Sequence, residues 1–123
     1  MDATETVTAY GDSWNEPDES KRRALLEQAW ADDGAYCDPT VDVQGRDALL
    51  DHIGGFRELF PGARIEKTSG VEVHHGWARF AWSMVDAKGA TSIEGFDVCE
   101  FAPDGRLQRI VGFFGPFPPD EGA

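Results

Sequence analysis

Cysteine is scarce in this chain, with only Cys37 and Cys99 among 123 residues and no CxxC spacing. Neither a zinc site nor a disulfide framework is therefore expected, and reduced thiols in a cytoplasmic protein are the default. Basic residues are also few: 11 Lys and Arg against 23 Asp and Glu give a formal charge of −12. Such a surface repels phosphate backbones and anionic headgroups, so nucleic acid and membranes are excluded as expected partners. Long apolar runs are missing too, and the acidic stretch from Met1 to Tyr10 fits neither a secretory signal nor an anchor. No HExxH, GxSxG, GxxxxGK[ST] or GxGxxG occurs, which leaves no expected metal or cofactor.

What is present suits one packed domain with one pocket: 41% hydrophobic residues, including 4 Trp and 8 Phe. The domain is expected over residues 1–115, followed by a flexible Pro-rich tail over 116–123. Val7, Tyr10 and Trp14 fall at helical spacing before Asn15-Glu16-Pro17-Asp18 breaks the run. A second helix capped by Asp18 or Ser20 turns Leu25, Leu26, Ala29 and Trp30 inward, keeps Lys21, Arg22, Arg23 and Glu27 wet, and ends at Asp32-Asp33-Gly34. A short strand, Ala35 to Asp38, closes at Pro39. After an irregular link, Gly45-Arg46-Asp47 opens a third helix with the stripe Leu49, Leu50, Ile53, Phe56 and Phe60, stopped by Pro61-Gly62.

From Ala63 onward the texture is that of strands, over 63–75, 77–85, 91–102 and 107–114, with turns between them. Helices followed by strands predict an α+β fold, with the three N-terminal helices lying on one face of a curved antiparallel sheet. Gly54-Gly55 inside the third helix costs about 1 kcal/mol per glycine relative to alanine, so close packing or a pocket wall is expected there.

The chemical candidates are few. His74 and His75 are neighbours on a strand and should point to opposite faces, unable to share an ion. His52 lies beside the apolar stripe of the third helix, on its surface or at a pocket. Asp38 and Asp97 stand in apolar surroundings, where a carboxylate needs an explanation. Asp97 shares a strand face with Ile93, Gly95, Cys99 and Phe101 and points into a pocket or an interface. The plain alternatives are a turn-capping role for Asp38 before Pro39 and an ion pair between Asp97 and Arg79.

The layout resembles the nuclear-transport-factor-2-like superfamily, shared by SnoaL-like polyketide cyclases, limonene epoxide hydrolases and ketosteroid isomerases, which implies a cone-shaped α+β fold with the helices packed on the concave face of the sheet. Its carriers are Trp30-Ala31-Asp32-Asp33-Gly34-Ala35-Tyr36-Cys37-Asp38-Pro39, the helix start Gly45-Arg46-Asp47, and Gly95-Phe96-Asp97-Val98-Cys99-Glu100-Phe101 with Pro103-Asp104-Gly105-Arg106-Leu107 behind it. Matched to the isomerases, the resemblance implies that Asp38 is the proton-shuttling base. It likewise implies that Asp97 and, on the first helix, Tyr10 donate to an oxyanion. The isomerases' two supporting tyrosines correspond to Trp30 and Ile53. Matched to the epoxide hydrolases, the catalytic positions fall on Arg79, Ala81 and Gly112, which lacks two carboxylates.

The resemblance implies a cofactor-free isomerase or cyclase acting on a hydrophobic small molecule, or a non-catalytic binding or dimerisation module of the same fold. The pocket should be walled by Tyr10, Trp14, Tyr36, Ile53, Phe56 and Phe113. A homodimer is expected, because strand alternation puts Phe80, Trp82 and Met84 on one face and Trp77, Ala81 and Val85 on the other, and helices cover only one of them.

Overall fold

Asp2 starts the first helix: its side chain accepts the amide of Glu5 at 2.8 Å, and the Glu5 carboxylate in turn accepts the amide of Asp2 at 3.1 Å. In this computed structural model, which describes residues 1–122, the helix runs over Ala3–Asn15 (α1) and buries Val7, Tyr10 and Trp14. Asp18 caps the second helix, Glu19–Ala29 (α2), by accepting from the amides of Ser20 and Lys21. Arg22 is buried here instead of wet. Its guanidinium donates to the carbonyls of Glu16 and Pro17, which the break between the helices leaves without helical partners.

The chain then extends earlier than its acidic pair suggests. The first strand, Trp30–Asp38 (β1), begins at Trp30, with Asp32 and Asp33 exposed on it and Asp32 bonded to Arg46 at 2.7 Å. What reads as an irregular link holds a second strand, Val41–Gln44 (β2), paired antiparallel to β1. Gly45, at φ 95°, turns the chain into the third helix, Arg46–Leu59 (α3). Of its two glycines, Gly54 leaves room for Arg22, whose Nη1 would lie 3.3 Å from a Cβ there.

The expected strand over 63–75 is two strands, Arg64–Lys67 (β3) and Glu72–His74 (β4), paired in turn with different stretches of Trp77–Val85 (β5). Between them, Ser69 Oγ accepts the amide of Ala81 and so replaces a ladder bond. Thr91–Phe101 (β6) and Leu107–Phe114 (β7) complete the set. The sheet order is β2-β1-β7-β6-β5-β3, and it is mixed rather than antiparallel, because β1 lies parallel to β7. A parallel pair needs a long connection, and the whole chain from β2 to β6 supplies it.

The helices cover the concave face of this curved, unclosed sheet. Between them sits a core built on Leu26, Trp30, Leu49, Ile53, Leu107 and Ile110. Asn15 fastens the end of α1 to the sheet edge, its amide group exchanging two 2.8 Å bonds with the backbone of Ile65. No described helix is long and apolar enough to cross a membrane. Residues 116–122 form no helix or strand, and Ala123, at the end of the expected tail, lies outside the described residues.

Candidate active site

A cavity of about 700 Å³ opens between α1, α3 and the concave face of the sheet. Its walls are mainly apolar, with Trp14 from α1, Phe56 from α3, Phe80 and Trp82 from β5 and Phe114 from β7. The polar groups on its wall include Tyr10, Tyr36, Asp38, His52 and Asp97, with Asp12 of α1 and Lys67 of β3 also lining it. Such a cavity, apolar with a few convergent polar groups, suits a small ring compound.

Asp38 ends β1, where Pro39 forbids further pairing. Its Oδ1 accepts the amide and the hydroxyl of Thr40 at 2.7 and 2.6 Å, and its Oδ2 accepts the Tyr36 hydroxyl at 2.6 Å. The residue is thus a turn cap and a cavity carboxylate at once.

Asp97 lies at the centre of β6, opposite Phe80 on one side and Gly112 on the other, and is 5% exposed. Its Oδ1 accepts the indole N–H of Trp82 at 3.0 Å. A Cβ on Gly112 would fall 2.9 Å from that oxygen and 3.4 Å from Asp38 Cβ, so a glycine is what lets the two aspartates stand over the same spot. Burial pushes the Asp97 carboxyl up to about 7, the Trp82 bond opposes it, and the charge of Asp38 adds to it. The alternative ion pair does not form: Arg79 points to the other face and holds Glu72 at 2.6 Å. Among the described residues, no basic side chain lies within ion-pair distance of Asp38 or Asp97.

Tyr10 is 3% exposed and stacks on Trp30 with ring centroids 5.7 Å apart. Burial above all, then Tyr36 and Asp97, hold its phenol well above the usual range, so it stays a donor. His52 packs against Trp14 and Tyr36 at 5.7 and 5.8 Å. Desolvation lowers its pKa and Asp38 partly restores it. Among the described residues, no group of three or more His, Cys, Asp or Glu could hold a metal ion. His74 and His75 do approach each other, Nδ1 to Nδ1 at 3.2 Å, because His75 sits in a turn at φ 51° instead of continuing the strand.

Of the expected walls, Tyr10, Trp14, Tyr36 and Phe56 line the cavity, and two do not. Ile53 is fully buried in the core, while His52, one residue earlier on α3, faces the cavity. Phe113 is 49% exposed on the opposite sheet face, stacked on Phe96 at 5.3 Å. Gly112 pairs with Asp97 and shares its face, so alternation sends Phe113 out and brings Phe114 in. Trp82 is the polar partner that the sequence reading missed. Its place beside Phe80 and Met84 on one strand face was a signal, since an indole turned inward needs an acceptor.

Residues 7–110 match the model of the SnoaL-like domain. A candidate isomerase of the SnoaL-like family from Agrobacterium tumefaciens is 31% identical, with a TM-score of 0.86 over 91% of this chain and 96% of its own. A candidate polyketide cyclase from Sinorhizobium meliloti is 17% identical, at a TM-score of 0.70 over 88% of this chain and 93% of its own. An NTF2-like protein of unknown function from Exiguobacterium is 16% identical, with a TM-score of 0.70 over 91% and 99%. The two more distant structures share the fold alone. No curated protein matches the chain. Fold, extent and sequence agree, and the chain belongs to the SnoaL-like domain family.

Proposed function

We propose that this protein is a cofactor-independent enzyme that moves a proton next to a carbonyl of a hydrophobic ring compound, in the manner of a ketosteroid isomerase or a polyketide cyclase. The observation that carries the reading is that two carboxyl groups and a buried phenol meet in one apolar cavity with no cation on either carboxyl. Removing a proton next to a carbonyl needs a base, and it needs donors where negative charge gathers on the oxygen. Asp38 takes the base role. Tyr10 and Asp97 take the donor role, and Asp97 can do so because, with its carboxyl raised to about 7, a large fraction keeps its proton near neutrality. The relative named as a candidate isomerase, 31% identical, supports the same class of chemistry.

A second reading, a non-catalytic binding module, draws on the bonds that already occupy both oxygens of Asp38. One titration separates the two. A phenol whose ionised form absorbs distinctly should bind wild type as the phenolate and lose affinity about tenfold or more in Tyr10→Phe and in Asp97→Ala, because each removes a hydrogen bond to a charged oxygen. Equal binding by all three proteins refutes the donor role. Asp38→Asn should bind the phenol at least as well, yet abolish turnover of a β,γ-unsaturated ring ketone. Turnover that survives it refutes the base.

A further inference from the structure

Trp82 faces Gly95 across the β5–β6 ladder. A Cβ on that glycine would lie 2.5 Å from Trp82 Cζ2 and 3.0 Å from Cε2, so the indole can cross β6 at this height only over a glycine. The far side of the ring meets Phe114 of β7 edge-on, with centroids 5.7 Å apart. Held between these contacts, Nε1 reaches Asp97 Oδ1 at 3.0 Å. An indole nitrogen donates and does not accept, so Oδ1 must be the accepting oxygen of this carboxyl in either protonation state.

We propose that Trp82 is a positioning residue that assigns the two oxygens of Asp97: the indole holds Oδ1 as acceptor, which leaves the proton on Oδ2 and makes Oδ2–H the donor to the oxygen of a bound ring compound. The inference rests on the donor role of Asp97 given above and adds the reason its proton is aimed. A carboxyl without such a partner can exchange its oxygens by a half-turn about Cβ–Cγ, and a donor that turns away contributes nothing to a developing charge. Gly95 and Gly112 serve the same arrangement, the first by admitting the indole and the second by clearing the space beside Oδ1.

The indole also bonds the ionised carboxylate more strongly than the neutral acid, and so it bears on the pH at which the donor is lost. The titratable groups coupled to Asp97 are Asp38 and Tyr36 of β1, Tyr10 of α1 and Cys99 of β6, none of them a cation at any pH, while His52 of α3 and Lys67 of β3 line the same cavity without forming an ion pair with it. Trp82 is thus the neighbour that favours the charged form, against burial and Asp38.

NMR tests this without a ligand. In wild type, the Trp82 indole resonance should move across pH with the same midpoint as the Asp97 carboxyl carbon. The Trp30 indole, bonded to Gly34 O, should not follow it. A Trp82 resonance indifferent to that midpoint overturns the proposal. In Trp82→Phe the Asp97 midpoint should rise by about half a unit or more. Phenolate affinity below the midpoint should fall several-fold, since the aim of the donor is lost. An unchanged midpoint, with affinity reduced equally at every pH, would mean that the ring only packs, and this also overturns it. Absence of phenol binding in wild type would instead remove the donor reading, while the ligand-free titration still decides the indole–carboxyl arrangement.

Discussion

At Asp97, burial has a consequence for stability that does not depend on any substrate. The folded protein holds this proton up to about pH 7, whereas the ordinary aspartate of an unfolded chain releases it near 3.8. Between those values the folded state binds more protons than the unfolded one, so this residue's contribution to stability falls as pH rises and levels off above about 7. Asp97→Asn keeps the shape without the charge. Its stability relative to wild type should therefore grow by roughly 3 kcal/mol between pH 5 and pH 8, read from urea unfolding at each pH. A difference that stays constant with pH would show that Asp97 is not held protonated. The sequence made this residue conspicuous as a carboxylate between Phe96 and Val98, but the Trp82 bond depends on the register of two strands and on a glycine opposite the ring, which alternation along one strand does not contain.

Glycines decide much of the packing at the level of elements, and they do so in opposite ways. At Gly95 an added methyl runs into the backbone carbonyl oxygen of Phe113 on β7 and meets the Trp82 ring at 2.5 Å, so Gly95→Ala must shift the β6–β7 ladder and displace the indole. It should lower the unfolding midpoint and raise the Asp97 titration, as Trp82→Phe does. At Gly55, which lines the cavity from α3, nothing lies within 4 Å of a Cβ. Gly55→Ala should therefore stabilise the protein by about 1 kcal/mol, measured by denaturant unfolding, because alanine restrains the helix backbone better. A destabilised Gly55→Ala would mean that the helix needs the glycine for its path. Periodicity made the three helices and the long strands β5, β6 and β7 legible. It could not reveal that β1 runs parallel to β7, since a strand alternates in the same way in either pairing. Nor could it show the split into β3 and β4, where Ser69 bonds the edge through its side chain.

For the whole molecule, the unresolved need is the convex face. Opposite the helices the sheet presents Phe96, Val98, Val111 and Phe113, with Trp77 42% and Phe113 49% exposed and Phe117 6.0 Å from Phe96. Around this apolar centre lie ion pairs of both signs, Arg79 with Glu72 and Arg109 with Glu100, so the rim can complement a rotated copy of itself. We propose that a second copy of the chain covers it, the face being repeated on each protomer as a twofold contact requires. The formal charge of −12 on each protomer opposes that contact and acts over about 8 Å at physiological ionic strength. Affinity should therefore rise with added salt, the reverse of an interface held by opposite charges. Phe113→Asp places a charge in the centre without touching the cavity. Sedimentation at micromolar concentration should show a dimer for wild type, strengthened by salt, and a monomer for Phe113→Asp that still binds a phenol. A wild-type monomer under those conditions, or a dimer indifferent to Phe113→Asp, would place the contact elsewhere or remove it.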